Sequence, residues 1–205
     1  MSKRPTIPAF LLAFVALTCT PGDLQLKDGD LIFQTSLSSQ SQVIQRATQS
    51  RWTHMGIILT HGGRRMVFEA SDVVRFTPVN VWVKRGKDNR YAVKRLKNAD
   101  ALLNAFTVEK LQNVAARFEG RPYDPHFDWS DDRLYCSELV WKIIDRSLGV
   151  EVGALQKLSD FHLEDVVVKA KLKERYGEAT PLDESVISPE QMYRSELLET
   201  IYESN

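Results

Sequence analysis

The sequence has no excess charge of either sign, and this absence excludes one large class of function. Its 205 residues contain 27 basic and 27 acidic side chains, and the two kinds are interspersed along the chain. Nucleic-acid-binding proteins draw affinity from clustered lysine and arginine residues, which displace counterions from the phosphate backbone. We therefore expect no nucleic-acid partner.

Cysteine is scarce, and long apolar runs are missing. Two cysteines, Cys19 and Cys136, are too few for a disulfide-stabilised scaffold. The longest apolar run, Ala9 to Leu17, is shorter than the about 20 residues that a helix needs to cross a bilayer. The 43% hydrophobic and 26% charged residues are typical of a soluble globular protein, and the length suits one domain.

Motifs for metals and common cofactors are also missing. The sequence contains no HExxH, no paired CxxC, no GxSxG and no phosphate-binding loop. We therefore expect neither a bound metal nor a cofactor.

The N-terminus has the pattern of a secretory signal peptide. Lys3 and Arg4 precede the apolar run, and small residues followed by a polar segment come after it. This predicts a signal peptide over residues 1–20, a mature domain over 21–205 and a periplasmic location. A buried N-terminal helix is the alternative, although prolines at 5, 8 and 21 fit it badly. The segment ending at Cys19 also loosely resembles a lipobox, so a lipid anchor at Cys19 is a further interpretation.

The remaining pattern predicts an α+β fold. Two strands, at 55–60 and 65–70, flank a Gly-Gly step that is typical of a β-hairpin. Further strands are expected near 30–33, 73–77 and 91–96, with a loop over 86–89. A helix is predicted from about Arg133 to Leu148, and the tail is expected to be irregular except for a short helix near 188–190. Antiparallel strands flanked by helices, without βαβ alternation, define this class.

Cys136 lies in the first turn of the predicted helix, on its apolar side. The unpaired backbone N–H groups and the positive end of the helix dipole favour a thiolate there, which is the nucleophilic form of cysteine. The alternative is a small buried hydrophobic residue, because free cysteine is among the most buried residue types.

His54 begins the first hairpin strand and Glu69 ends the second. If the turn is centred between His61 and Gly62, the two residues lie directly opposite each other. If it is centred on Gly62 and Gly63, they are diagonal neighbours on the same face. Either arrangement brings a carboxylate beside the imidazole, as a general base requires, although a surface cross-strand pair would have the same pattern.

Three further segments resemble a known family. They are Gly120-Arg121-Pro122-Tyr123-Asp124, Phe127-Asp128-Trp129-Ser130-Asp131-Asp132 and Tyr135-Cys136-Ser137-Glu138-Leu139-Val140-Trp141. They are similar to the cysteine region of NlpC-type thiol peptidases. His54 and Glu69 precede Cys136 here, which is the order of the circularly permuted branch and of its YiiX/YaeF proteins. The resemblance implies a permuted papain-like fold, in which an antiparallel sheet or barrel packs against the helix that carries the cysteine.

The resemblance also implies a role for each site residue. Cys136 would be the nucleophile, His54 the base and Glu69 the group that orients the histidine. Tyr135 would help to line the oxyanion hole, although it could equally pack against the hairpin. Glu138 stands where many NlpC-type members have glycine, so their substrate preferences are not transferred to this chain.

These expectations lead to three hypotheses about function. The first is an exported cysteine peptidase or amidase that acts on cell-wall peptides or related amides. The second is a lipid acyltransferase or thioesterase that uses the same cysteine on a lipid substrate. The third is a non-catalytic protein that binds an amino acid or a peptide end.

Overall fold

The computed structural model describes residues 24–204, which form one α+β fold around a six-stranded sheet. The predicted signal peptide and Cys19 lie outside the described residues. The strands of the sheet are β1 (Leu31–Ser36), β2 (His54–His61), β3 (Arg64–Ala70), β4 (Val74–Pro78), β5 (Gly86–Leu96) and β8 (Leu198–Glu203). Their order across the sheet is β4-β3-β2-β1-β5-β8, and every neighbouring pair is antiparallel, as the sequence predicts.

The hairpin between β2 and β3 turns at Gly62 and Gly63. Both glycines have positive φ, 56° and 75°, which suits a tight two-residue turn that right-handed strand twist favours. Ile57 lies opposite Phe68, and this register places Gly56 opposite Glu69. The structure thus adopts the second of the two predicted turns, with His54 and Glu69 as diagonal neighbours on one face.

The helix α5 (Cys136–Leu148) packs against β2 and β3 and forms the main core with them. Its buried side carries Leu139, Val140, Ile143 and Ile144, which recur at helical spacing. The helix ends at Gly149, whose φ of 67° gives a left-handed cap. Its start, at Cys136, lies three residues after the predicted Arg133, because Leu134 forms an isolated bridge with Tyr123 and Tyr135 has extended backbone angles.

The other helices surround the sheet and the start of α5. They are α1 (Ser41–Thr48), α2 (Val79–Lys84), α3 (Ala99–Leu102), α4 (Ala105–Ala116), α6 (Val166–Tyr176) and α7 (Pro189–Tyr193). A 3-10 turn (Leu158–Asp160) and a two-stranded ribbon of β6 (Gln156–Lys157) and β7 (Ser185–Val186) complete the described fold.

Two predictions about local structure are wrong. The expected loop over 86–89 belongs to β5, where Asp88 and Asn89 adopt left-handed backbone angles inside the strand limits. The tail is less irregular than expected, because α6 contacts α1 and caps itself with Asp165, whose carboxylate accepts the backbone N–H of Val167 at 2.9 Å. The predicted short helix near 188–190 is confirmed as α7.

Across residues 24–204, no helix combines the length and the apolar character that crossing a membrane requires.

Candidate active site

The hairpin brings His54 and Glu69 into direct contact. Nε2 of His54 lies 2.6 Å from Oε2 of Glu69, although fifteen residues separate them along the chain. Gly56 lies opposite Glu69 in the ladder and has no side chain there, and a Cβ at Gly56 would come within 2.4 Å of Val67. The ring of His54 can therefore reach along its own face of the sheet to the carboxylate. The pairing that the sequence predicts is present.

Glu69 is fully buried and is surrounded by hydrogen-bond donors. Besides His54, it accepts the Thr77 hydroxyl at 2.6 Å, the Trp82 indole N–H at 3.0 Å and a guanidinium N–H of Arg85. Burial alone would raise the pKa of Glu69, but these partners, with His54 first among them, lower it to about 2. Glu69 is therefore a carboxylate at any physiological pH.

His54 is held between Glu69 and the start of α5. The ring is mostly buried and stacks on Trp82, with centroids 5.7 Å apart. Burial on its own lowers the pKa of His54, but the interactions with Cys136 and then Glu69 outweigh it and raise the pKa to about 9. Because Glu69 occupies Nε2, the ring nitrogen left for Cys136 is Nδ1.

Cys136 is the first residue of α5 and is buried, with 4% of its surface exposed. The backbone N–H groups of the first helical turn have no partner within a helix, so they point toward the space beside the thiol. Such N–H groups stabilise negative charge, either on sulfur or on an oxygen bound next to it. The structure therefore brings Cys136, His54 and Glu69 together in one row.

The residues on both sides of Cys136 hold the same distant segment. The Tyr135 hydroxyl accepts the backbone N–H of Ile187 at 3.1 Å, and the Ser137 hydroxyl donates to the carbonyl of Ile187 at 2.8 Å. Tyr135 is buried, and its ring packs edge-to-face on Phe127. The Tyr135 hydroxyl accepts a hydrogen bond through its oxygen, so its own proton remains available for donation to an oxyanion. The oxyanion role of Tyr135 stays a prediction.

Glu138 anchors the first turn of α5 from the other side. Its buried carboxylate accepts the N–H of Tyr135 at 3.3 Å, the N–H of Ser130 at 3.2 Å and the ammonium of Lys142 at 2.7 Å. Burial raises the pKa of Glu138 to about 7, against the opposing effect of Lys142. Glu138 thus ties the preceding loop to the first turn of α5.

Two cavities meet at this row of residues. The first, which we call the wide cavity, has a volume of about 490 Å³. Its lining includes Gln34, Ser36, Ser38, Ser39, His54 and Arg85. The second, which we call the apolar cavity, has about 80 Å³, and nearly all of its surface is apolar. Its lining includes Cys136, Phe127, Leu158, Phe161, Leu172 and Arg175. Ile44, Thr53 and Tyr123 line both, so the two cavities adjoin.

Sequence reasoning missed several residues of the site. Tyr123 lies between the two cavities, and burial, followed by the charge of nearby Cys136, raises its pKa above the usual range. The sequence did contain a signal for Tyr123, because this residue ends the Gly-x-Pro-Tyr element. Gln34 pairs with His54 across β1 and β2, and its buried Oε1 has no hydrogen-bond partner among residues 24–204. Nothing in the local pattern around Gln34 indicated a place in the site.

Comparison with known proteins gives a consistent result. A family model described as "Permuted papain-like amidase enzyme, YaeF/YiiX, C92 family" matches residues 25–202. A protein of Escherichia coli strain K12, named "Uncharacterized protein YiiX", is 41% identical over 201 residues, which are 98% of this chain and 96% of that protein. A crystal structure described as that of the metalloprotein yiiX from Escherichia coli O157:H7 has a TM-score of 0.84 and 43% identity, covering 88% of this chain and 99% of that one.

The description of that structure as a metalloprotein raises the question of a metal site in this chain. Within the described part of the chain, no group of three or more histidine, cysteine, aspartate or glutamate side chains is arranged to hold a metal ion. At the candidate site, His54 and Cys136 could form a group of three ligands only together with Glu69. The carboxylate of Glu69 already accepts hydrogen bonds from four side-chain donors. The residues present do not fit a metal centre, and no step below depends on one.

Proposed function

Because the chain belongs to the permuted papain-like amidase family of YaeF and YiiX, we propose that it hydrolyses an amide bond with Cys136 as nucleophile, His54 as base and Glu69 as the group that orients His54. The family and the α+β fold that the sequence predicts are thereby confirmed. The observations that support the proposed roles are the 2.6 Å contact between His54 and Glu69 and the effect of Cys136, which raises the pKa of His54.

The first half of the reaction forms an acyl-enzyme. His54 takes the proton of the Cys136 thiol, and the sulfur attacks the carbonyl carbon of the amide. The carbonyl oxygen becomes an oxyanion, which N–H groups at the start of α5 stabilise, with Tyr135 as a further donor. When the C–N bond breaks, the imidazolium of His54 gives its proton to the leaving nitrogen, and the acyl group stays on sulfur.

The second half releases the acid. A water molecule loses a proton to His54 and attacks the acyl carbon, and the C–S bond breaks as the sulfur regains that proton. Glu69 stays ionised throughout, because its four donors hold its pKa at about 2. It keeps Nε2 of His54 protonated, so Nδ1 remains the nitrogen that exchanges protons with Cys136.

For the natural substrate, we propose a peptide amide of the cell wall, reached by export through the N-terminal segment. The support for export is the pattern of Lys3, Arg4 and the apolar run that follows. A periplasmic hydrolase meets cell-wall peptides as its most abundant amides. Cell fractionation tests this location: recovery of the full chain in the cytoplasm alone would contradict it.

Replacement of the nucleophile is the direct test of the catalytic roles. In Cys136→Ala, release of new amines from peptidoglycan fragments should fall by at least about a thousandfold, because no acyl-enzyme can form. Ser147→Ala is the matched control, since it is a comparable change at another buried position of α5 and should leave turnover unchanged. Equal turnover by wild type and Cys136→Ala would refute the assignment.

The apolar cavity is the one observation that favours the second hypothesis, in which Cys136 carries a lipid acyl group. Its walls suit hydrocarbon, but a volume of about 80 Å³ suits a short chain better than a long fatty acyl chain. Mass spectrometry after incubation with acyl thioesters distinguishes the two cases. A long-chain adduct on Cys136 would support the lipid hypothesis, and an adduct confined to short chains would support the amidase.

A further inference from the structure

The helix α6 carries four cations between positions 169 and 175, and one of them differs from the rest. Lys169 pairs with Glu164 at 2.5 Å, Lys171 with Glu174 at 2.7 Å and Lys173 with Glu178 at 3.3 Å. Arg175 has no carboxylate within 4.0 Å among the side chains that the structure describes. A partly buried guanidinium without an anionic partner is a ready site for a ligand anion.

Arg175 is held at the cavity that contains the nucleophile. Its guanidinium stacks over the ring of Phe127, 4.8 Å from the centroid, and both residues line the apolar cavity with Cys136. The charged lining residues of this cavity are Lys171 and Arg175. Because Glu174 already compensates Lys171, the uncompensated positive charge comes from Arg175.

The positions of the reacting groups decide which part of a substrate enters which cavity. Cys136 lines the apolar cavity, and the acyl group must be bonded to its sulfur. His54 lines the wide cavity, and it must give a proton to the leaving nitrogen. The acyl group therefore lies in the apolar cavity and the amine in the wide cavity, among serine and glutamine side chains.

On the basis of the hydrolase function proposed above, we propose that the apolar cavity is the acyl site and that Arg175 binds an anionic group carried by the acyl group. The substrate class is then an amide of a short, largely apolar acyl group that bears a carboxylate. The volume of about 80 Å³ limits its length, the apolar walls exclude a polar chain, and Arg175 supplies the charge that a carboxylate requires.

Amides that share one leaving group and differ only at the end of the acyl group test this proposal. The aminocoumarin amides of pentanoic acid, of glutaric acid and of 5-aminopentanoic acid end in a methyl, a carboxylate and an ammonium group. With the wild-type protein, kcat/KM should be about tenfold to a hundredfold higher for the glutaryl amide than for the pentanoyl amide. The aminopentanoyl amide should be the poorest substrate of the three.

Arg175→Gln should abolish the advantage of the glutaryl amide over the pentanoyl amide. Arg175→Lys should restore part of the advantage of the glutaryl amide, because an ammonium keeps the charge but cannot form the bidentate hydrogen bonds of a guanidinium. Lys173→Gln is the matched control: it removes a cation from the same helix, outside the cavity, and should preserve the preference. A preference that survives Arg175→Gln, or that is lost equally in Lys173→Gln, would overturn the proposal.

Binding to the inactive variant Cys136→Ala separates this proposal from the hydrolase assignment. Isothermal titration with the N-methylamides of the same three acids needs no turnover. If the glutaryl compound binds preferentially but the wild-type protein does not hydrolyse the amides, the proposed acyl site is supported and the proposed hydrolase function is refuted. If all three amides are hydrolysed at equal rates and the three compounds bind equally, the proposed hydrolase function is supported and the proposed acyl site is refuted.

Discussion

Glu69 and Glu138 are both fully buried, and each lies beside a cation, yet their pKa values shift in opposite directions. The pKa of Glu69 falls to about 2, whereas that of Glu138 rises to about 7. Both lose hydration on burial, which raises the pKa of each. The difference therefore lies in what replaces the lost water.

Glu69 receives four side-chain donors, and two of them, His54 and Arg85, carry or can carry a positive charge. Glu138 receives two backbone N–H groups at more than 3 Å and the ammonium of Lys142, which it shares with Asp131. Short bonds to dedicated cations overcome desolvation, and a shared cation does not. One carboxylate is thus fixed in its charged form beside the histidine, and the other lies near its titration point at neutral pH.

Of the two carboxylates, Glu69 gives the larger expected effect when it is neutralised. Glu69→Gln should lower kcat/KM about a hundredfold, because a neutral amide neither fixes the tautomer of His54 nor stabilises its protonated form. The same change should lower the pKa of His54 from about 9, so the alkaline limb of the pH–rate profile should move to lower pH. Steady-state rates measured across the alkaline range test both statements.

Glu138→Gln provides the control for that experiment. It neutralises a carboxylate that is equally buried but has no contact with His54 among its hydrogen bonds. The alkaline limb should stay in place in this variant. If both variants move the limb by the same amount, the orienting role of Glu69 is refuted.

The next effect concerns stability and distinguishes the two carboxylates by pH. A carboxyl group whose pKa is raised on folding stabilises the fold below its unfolded pKa of about 4.5, and this contribution is lost as the pH rises through about 7. Between pH 5 and pH 7, Glu138 should therefore reduce the free energy of unfolding by about 2 kcal/mol. Glu69 contributes no slope there, because its stabilisation is lost only as the pH falls from about 4.5 through about 2.

Urea unfolding of wild type and Glu138→Gln at the two pH values measures this slope. His54 loses part of its own contribution above about pH 6.5, because its pKa is raised to about 9 on folding. This loss is the same in wild type and in Glu138→Gln, so the difference between the two proteins reports Glu138. The variant should lose most of the dependence on pH. A wild-type protein that gains stability from pH 5 to pH 7, with the variant following it, would contradict the raised pKa of Glu138.

The smallest effect comes from removing a single donor from Glu69. Thr77→Val deletes one hydrogen bond of 2.6 Å and should cost about 1–2 kcal/mol of stability and a few-fold in kcat/KM. Thr60→Val is the matched control, because Thr60, on β2 of the same sheet, donates to Asp28 at 3.0 Å and lies outside the site. It should lower stability similarly without lowering the rate. Equal losses of rate in both variants would show that Thr77 has no specific role.

The sequence predicted the contact between His54 and Glu69 because a hairpin is a local structure. Gly62 and Gly63 favour a tight turn, and both possible turn centres put the two residues on one face. The helix α5 was predictable for the same reason, since its apolar spacing and the glycine that ends it are neighbours in sequence. Only its first residue was misplaced.

The remaining donors to Glu69 were not predictable from local pattern. Thr77, Trp82 and Arg85 come from β4, from α2 and from the residue after α2, so their contacts depend on strand register and helix placement.

The helix α6 was missed for a different reason. Lys169, Lys171 and Lys173 alternate with apolar residues, which is the period of a strand, and three valines with low helix propensity precede them. The residue that we propose to select the substrate, Arg175, lies on this helix.

The two hydrogen bonds to Ile187 impose an order on how the site is assembled. Tyr135 and Ser137 hold a segment that is synthesised about fifty residues after them. Until Ile187 has emerged, the residues on either side of Cys136 lack these partners, and the wall of the apolar cavity is incomplete. A chain made from its N-terminus onward therefore completes its hairpin early, and the surroundings of the Cys136 thiol are complete only after residue 187 has been made.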